Sequence, residues 1–496
     1  MKNAISPTRN QNFSEWYQHV IRQAELAENA PVRGCMVIRP WGYGIWENIQ
    51  RELDRRFKET GHVNAYFPLL IPLSFLQTEA DHVDGFAKEC AIVTHHRLEQ
   101  ASGGKLDAAG RLEEPLIIRP TSETIIGASF SRWVQSYRDL PLLINQWANV
   151  LRWEMRPRIF LRTSEFLWQE GHTVHASREE ALEETQKMLD VYADFATHYL
   201  AIPVIKGVKC SWERFPGAVS TYTIEAMMQD GKALQAGTSH FLGQNFAQAS
   251  DIRFVNPQGA KELAWTTSWG VSTRLIGALI MTHGDDDGLR VPPLVAPTQV
   301  VIVPIIRNDE DVEAIHAYCE KLQQQISRKK LKGQNLRVSI DKRDMNGGEK
   351  KWYHTKRGVP IRVEVGVKEL QQGMVSYWCR NDNARTMKVA ADSFVKDLSK
   401  TLMGIQNSML ERARSHLSGN MRTVSTLEAF KQAFKRKDNL STFILAPFID
   451  DEKIEKAVAE LGATVRCIPL QQPEAEGICL FTGQRTRTWA LYAKSY

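Results

Sequence analysis

The stretch Leu151-Arg-Trp-Glu-Met-Arg-Pro-Arg-Ile-Phe-Leu-Arg162, continued by Thr-Ser-Glu-Phe-Leu-Trp-Gln-Glu-Gly-His172, decides how this chain is read. Two alternating apolar runs flank a short basic turn, which predicts an antiparallel hairpin with positive charge concentrated at its tip, a tip suited to a polyphosphate. Side chains at i and i+2 of a strand share a face. Arg152 and Glu154 are therefore expected to point together with Trp153 turned away, and Phe166, Trp168, Glu170 and His172 to line one face. Taken alone, the stretch reads as a half-buried hairpin with a solvated basic turn, and the rest of the chain has to supply more.

A chain of 496 residues exceeds what a single core organises, so several domains are expected. Hydrophobic content of 43% and charged content of 24% exclude the intrinsically disordered class. A formal charge of +6 permits an anionic partner without requiring one. The seven cysteines are odd in number, scattered and never arranged as C-x-x-C, which fits a reducing, cytoplasmic setting. No uninterrupted apolar span of about 18 residues occurs, and the polar start lacks the apolar core of a secretory signal, so no membrane segment is expected.

Apolar residues at Phe13, Trp16, Tyr17, Val20, Ile21 and Ala24 have helical spacing. A second helix is predicted over residues 43–60, with the stripe Ile45, Ile49, Leu53 and Phe57 and with Gly61 as a left-handed cap before an extended run over 63–71. Residues 98–114 are polar and glycine-bearing and read as an exposed hairpin loop. A helix over 178–199 and short strands at 204–208, 221–226 and 239–242 complete a mainly antiparallel, α+β region covering residues 1–290. The turn-rich segment 282–297 marks a boundary, and its triplet Asp285-Asp-Asp287 reads as a solvated turn because its spacing does not match an EF-hand. Beyond it, a buried-type strand at 300–306, a helix of about twenty residues ending near Lys330 and strands near Leu336 and Ile361 alternate as in a compact α/β domain, residues 298–395. An amphipathic helix with Phe394, Leu398, Leu402, Ile405 and Met409 then leads into a last small domain, residues 396–496.

Neither a G-x-x-x-x-G-K-[ST] loop nor a G-x-G-x-x-G fingerprint is present, so any nucleotide has to be held by side chains. Four constellations offer them. The hairpin carries Arg152 to neutralise a phosphate, Arg156 at its tip, Phe160 as a stacking ring and Arg162 on the returning strand. Residues 266–277 read as a small-residue strand passing into a helix that presents Arg274; the alternative is close helix–sheet packing through Ser268, Gly270 and Gly277. Arg119-Pro-Thr-Ser-Glu-Thr-Ile-Ile126 by itself is a helix start, capped by Thr121 or Ser122 with Glu123 in the first turn. In Gln235-Ala-Gly-Thr-Ser-His-Phe-Leu-Gly-Gln-Asn-Phe246, Thr238 and His240 share a strand face, although a lone strand histidine is ordinarily a core residue.

Together these stretches resemble the catalytic domain of class II aminoacyl-tRNA synthetases, most closely the prolyl-tRNA synthetase family, over nearly the whole chain from Arg39-Pro-Trp-Gly-Tyr-Gly44 to Tyr496. The resemblance implies an antiparallel-sheet catalytic domain, an α/β anticodon-binding domain and a small α+β C-terminal domain. The helix ending at Thr60, with Val63-Asn-Ala-Tyr-Phe-Pro68, resembles the first motif, which packs across the interface of a homodimer; the hairpin resembles the second, and the segment from Gly270 to Gly277 the third. The implied activity is ATP-dependent ligation of L-proline to tRNA(Pro) through prolyl-adenylate, with Mg2+. By resemblance, Arg152 and Arg274 are catalytic, meeting the α-phosphate with the substrate carboxylate and the γ-phosphate respectively. Glu154 holds adenine, Phe160 stacks on it, and Arg156, Arg162, Gln235 and Thr238 complete the ATP site. Thr121 and Glu123 bind the prolyl nitrogen, while Phe166, Trp168 and His240 shape the proline pocket. On the strand read over residues 360–368, where Arg362 and Glu364 share a face, Arg362, Glu364 and Lys368 are the implied anticodon contacts, the first two being open equally to reading as an ordinary exposed ion pair.

The chain departs from the family in two places. It lacks the large editing insertion that some bacterial members carry between the second and third motifs, so it resembles the archaeal and eukaryotic form, and any editing of mischarged alanine falls to a separate protein acting in trans. Where relatives of that form carry four zinc-binding cysteines, Cys479-Leu-Phe-Thr482 keeps a single thiol, so no zinc is expected. Two competing readings are a synthetase for threonine, serine or glycine and an inactive paralogue that binds RNA. The lack of a suitable cysteine near the motifs counts against a threonyl enzyme. The joint presence of Arg152, Glu154, Phe160 and Arg274 counts against loss of catalysis.

Overall fold

The computed structural model describes residues 4–78, 89–435 and 441–496. The predicted hairpin is its organising element. Strands Leu142–Leu151 and Glu165–His175 pair antiparallel, with Leu142 opposite Val174 and Leu151 opposite Glu165. Around them an eleven-stranded sheet runs Met421–Thr423, Phe443–Pro447, Trp489–Ala493, Thr464–Pro469, Val204–Val208, Ser220–Met227, Ala233–Gly243, Trp265–Ser272, Glu165–His175, Leu142–Leu151 and Val63–Asn64. From Val204–Val208 to Leu142–Leu151 it is antiparallel, and the short edge strand Val63–Asn64 pairs parallel to Leu142–Leu151.

Helices cover this sheet through the stripes that the sequence lays out. Trp16, Tyr17, Val20 and Ile21 of helix Phe13–Gln23 are buried, as are Ile45, Ile49, Leu53 and Phe57 of helix Pro40–Glu59, and Gly61 follows with φ +91°. Helix Arg178–Asp194 continues into a wider turn, Phe195–Tyr199, and packs against the central strands. One close approach depends on a missing side chain: a Cβ on Gly171 would lie 2.0 Å from the Trp269 ring.

A second, mixed sheet has Val300–Pro304 flanked in parallel by Val338–Ile340 and Ile361–Val365, then antiparallel Met374–Cys379 and Asp382–Ala390. The 29-residue helix Ala391–Gly419 buries all five residues of its predicted stripe. It leads to the C-terminal strands, which extend the eleven-stranded sheet instead of standing apart: Ile468 pairs with Val208 and Pro469 with Gly207.

Four local expectations need correction. Residues 152–164 are not a short turn with a returning strand, because Ile159, Phe160 and Leu161 fold inward, with Phe160 at φ +64°. Burial of three apolar side chains outweighs ladder pairing there. Residues 98–114 are mostly ladder: Ala91–Gln100 pairs with Leu106–Ile118, leaving only 101–105 as a turn. Asp285 is not solvated but buried, bridging Arg380 at 2.9 Å and Arg290 at 2.7 Å. The strand predicted to run to Lys368 stops at Val365, because Gly366 caps helix Val367–Gln372.

Candidate active site

The cavity on the sheet is built from neighbouring strands. Period-two alternation brings Phe166, Trp168, Glu170 and His172 to one face of Glu165–His175, and all four line a cavity of about 250 Å3. Strand Ala233–Gly243 adds Gln235, Thr238 and His240, in register with Trp265–Ser272, where Thr238 faces Gly270 and His240 faces Ser268. Helix Arg274–His283 begins directly after that strand and brings Arg274 to the rim. Thr121 and Glu123 close the opposite side from the start of helix Glu123–Trp133. Their loop is fixed by fully buried Arg119, which donates to Asn149 O at 2.8 Å and Phe67 O at 2.7 Å.

Arg152 sits among these groups. Its Nε donates to Pro120 O at 2.8 Å, and its guanidinium lies 5.7 Å from the Phe166 ring centre and 5.8 Å from that of Trp168. Burial lowers its pKa, while the charges of Glu123, Glu170 and Glu89 pull the other way and favour the cation. Glu123 accepts a hydrogen bond from the Thr121 hydroxyl. Glu170 accepts from Ser122 and from Gln146 at 2.8 Å, and its second oxygen meets His172 Nε2 at 3.0 Å. Burial opposes protonation of His172, but that contact with Glu170 outweighs it and raises the pKa. His240 is the opposite case: burial first, then the charge of His172, pushes it down to about 3, so it is neutral.

At the other end the balance is positive. The pKa of Arg274 is lowered to about 10 by burial and then by the charges of Arg162, Arg152 and Arg466. Its Nε donates to a carbonyl, Leu161 O, at 3.2 Å. A half-buried cation facing other cations is a site for a polyanion. Trp168 Nε1 and Ser268 Oγ are buried in the cavity wall without a hydrogen-bond partner among the described residues, and both can serve a ligand.

Not every sequence candidate reaches the cavity. Phe160 is 2% exposed and packed in the core; Arg156 is exposed, and Glu154 accepts from its backbone N–H at 2.8 Å while lying 3.7 Å from Arg162. The ring that does line the cavity beside Arg152 is Phe166. Conversely, Lys209, Glu213, Phe215 and Thr221 line it and were not singled out from the sequence. The polar alternation Thr221, Thr223, Glu225 on an otherwise apolar strand was the available signal. In the second sheet, Arg362 and Glu364 share a face as expected, 3.2 Å apart, but Arg362 is buried under the Trp378 ring at 4.4 Å, while Lys368 is exposed. Among the described residues no group of three or more His, Cys, Asp or Glu side chains is arranged to hold a metal ion.

A sheet of this topology, with carboxylates at one end of its cavity and arginines at the other, is matched over residues 106–283 by the family described as tRNA synthetase class II core domain (G, H, P, S and T). The anticodon binding domain family matches residues 299–401. Fold and site together define a class II aminoacyl-tRNA synthetase. The family described as prolyl-tRNA synthetase, C-terminal, matches residues 427–496. The chain is 57% identical over 496 residues to a proline-tRNA ligase of Bdellovibrio bacteriovorus, covering 99% of each chain. It is 56% identical to one of Rhodopirellula baltica (100% of this chain, 98% of the relative) and 55% identical to one of Protochlamydia amoebophila (100% and 99%). The chain belongs to the prolyl-tRNA synthetase family.

Proposed function

We propose that this chain is a proline-tRNA ligase, joining L-proline to tRNA(Pro) through prolyl-adenylate at the expense of ATP. The observation that carries this reading is the polarity of the cavity, with Glu123 beside Arg152 at one end and Arg274 among other arginines at the other. Proline is a zwitterion, so its ring NH2+ needs a carboxylate and its carboxylate a cation. Glu123, oriented by Thr121, supplies the first and Arg152 the second. Trp168 and the neutral His240 wall the pyrrolidine without adding charge. Gln235 and Thr238 line the path from proline to nucleotide. Phe166 is the ring available to stack on adenine, a role that buried Phe160 cannot fill without moving. Arg156 and Arg162, on the exposed loop, close over the phosphates with Glu154 beside them.

Adenylate formation places the proline carboxylate against the α-phosphorus while pyrophosphate leaves. Arg152 holds both reacting groups, and Arg274 offsets charge on the departing phosphates. The chain thus works by positioning and electrostatics and needs no general base. Mg2+ fits as a companion of the triphosphate, because that ion keeps waters and phosphate oxygens as ligands and needs no protein cage. A pocket shaped for pyrrolidine discriminates against a smaller side chain by only about 1 to 3 kcal/mol per methylene. Misactivated alanine is therefore expected, and its removal is assigned to a separate trans-acting protein, consistent with an archaeal and eukaryotic-like form lacking the editing insertion.

The organisation proposed is a catalytic domain at residues 1–290, an anticodon-binding domain at 298–395 with Arg362, Glu364 and Lys368 toward the anticodon, and a C-terminal domain at 396–496 without zinc. A homodimer is supported by exposed Val63, Tyr66 and Leu70 at and beside the free edge strand. A cytoplasmic setting is supported by the odd number and scattered placing of the seven cysteines, and no helix among the described residues is long and apolar enough to cross a membrane. Proline-dependent exchange of pyrophosphate into ATP tests the central reading. Exchange with another amino acid in place of proline, or with none, refutes it. One zinc per chain on metal analysis refutes the metal assignment.

A further inference from the structure

The wall of the cavity beside His240 is held from outside the catalytic region. It consists of residues 207–215, which leave strand Val204–Val208, make a tight turn at Ser211–Glu213 and present Lys209, Glu213 and Phe215 to the cavity. Phe215 packs at a tilt of 33° on the His240 ring with centres 4.6 Å apart. The Thr221 hydroxyl ties the two together, accepting from Phe215 N at 2.9 Å and lying 3.0 Å from His240 Nδ1. Strand Val204–Val208 lies between Ser220–Met227 and the C-terminal strand Thr464–Pro469, with Ile468 opposite Val208 and Pro469 opposite Gly207. A Cβ on Gly207 would lie 2.5 Å from Cys467 Sγ, so the two backbones meet as closely as glycine allows.

Two polar clamps fasten it. Asp450, exposed, accepts from Ser211 N at 3.1 Å and Ser211 Oγ at 2.9 Å, and Phe448 packs on Trp212 with ring centres 6.0 Å apart. Deeper, Arg466 grips the fully buried Glu225, Nε at 3.0 Å and Nη2 at 2.9 Å from Oε2. The other Glu225 oxygen is 3.3 Å from Lys209 Nζ, whose side chain is 2% exposed. Lys209 in turn lies 3.7 Å from Glu213. A buried carboxylate shared by two cations is stable only if both stay in place.

We propose that Asp450 and Arg466 are positioning residues of the proline pocket: the C-terminal strands hold segment 207–215, and through it Phe215 and His240, in the geometry that accepts the pyrrolidine. This rests on the proline-ligase reading above and assigns the C-terminal region a part in amino-acid recognition, not only in stability. Arg466 and Glu225 are also felt electrostatically at Arg274, so Asp450, which holds Ser211 and leaves that buried pair intact, is the clamp that separates an effect on proline from one on ATP.

The test compares the full-length chain with Asp450→Ala, Arg466→Met and Arg466→Lys in pyrophosphate exchange, varying proline and ATP separately. Asp450→Ala, which alters only an exposed carboxylate, is expected to raise the KM for proline about fivefold to tenfold while the KM for ATP stays within about twofold. Arg466→Met is expected to raise the KM for proline more strongly, and Arg466→Lys to recover part of the loss. If Arg466→Met does not fold, Asp450→Ala and Arg466→Lys, which leave a cation facing Glu225 from both sides, report instead. Hydrogen exchange of amides 207–223 is expected to quicken in each affected variant. Folded variants with unchanged proline KM, or an Asp450→Ala variant with proline and ATP KM raised alike, overturn the proposal. Absence of proline-dependent exchange in the unaltered chain would refute the ligase reading instead, and hydrogen exchange would still report on the clamps.

Discussion

Arg152→Ala is the most searching test of the cavity chemistry. In the structure its guanidinium is held by Pro120 O and lies against Phe166 and Trp168, within the fields of Glu123 and Glu170. With substrates bound it makes charge-assisted hydrogen bonds to two anions, the proline carboxylate and the α-phosphate, each contributing about 1.5 to 3 kcal/mol. Both bonds tighten as the two groups are drawn together, so their loss appears in the transition state. A total of about 3 to 6 kcal/mol, at 1.36 kcal/mol per decade, corresponds to a fall of about 10² to 10⁴ in kcat/KM for adenylate formation. The assay is proline-dependent pyrophosphate exchange, with thermal unfolding run alongside. Stability should fall far less, by about 1 to 2 kcal/mol for the two ring contacts. A folded variant whose kcat/KM stays within about tenfold of the parent would refute the role given to Arg152.

Glu123→Gln keeps the shape of the side chain and removes its charge. It is expected to raise the KM for proline by about 10- to 100-fold with little change for ATP, and an unchanged proline KM would refute the assignment. Acid should destabilise the fold through His175 and His283, which are buried and held down to about 4, chiefly by burial. The folded chain keeps them neutral where the unfolded chain binds protons, so their contribution is complete above about pH 6.5 and is lost as pH falls toward 4. Between pH 6.5 and 5 each costs about 2 kcal/mol. His172, with its raised pKa, opposes this, since its contribution is full below about 6.5 and is lost at higher pH. Thermal unfolding from pH 7 to 5 measures the balance, and a flat profile would contradict it. Asp285→Ala leaves Arg380 and Arg290 buried without their shared carboxylate and should cost about 3 to 5 kcal/mol in denaturant unfolding. A loss below about 1 kcal/mol would show that the bridge contributes little.

Local pattern carried much of this protein. The stripe of helix Pro40–Glu59 and the five buried positions of Ala391–Gly419 follow from a period of 3.6 alone. So does the shared face of Phe166, Trp168, Glu170 and His172 from a period of two, because alternation is a property of the extended backbone itself. Arg152, Arg274, Glu123 and His240 were legible as chemically conspicuous residues on predicted element ends, and tertiary folding brought them to one cavity.

What tertiary structure alone decided lies where distant segments compete for burial. The alternating run Arg158-Ile-Phe-Leu-Arg162 looks like a strand, yet Tyr17 donates to Ile159 O at 2.8 Å, and a Cβ on Gly277 would lie 2.6 Å from the Leu161 side chain; these partners are more than a hundred residues away. They draw Phe160 into the core and away from the nucleotide. Lys209 looks like a surface lysine until Glu225 is seen beside it, and Glu225 is tolerable in the core only because Arg466, 241 residues further on, faces it. The sequence by itself therefore determined the elements, their faces and the residue types of the site. Which of those residues meet, and that the C-terminal strands back the pocket, was decided by packing and by the need to pair buried charge, interactions that periodicity along the chain does not encode.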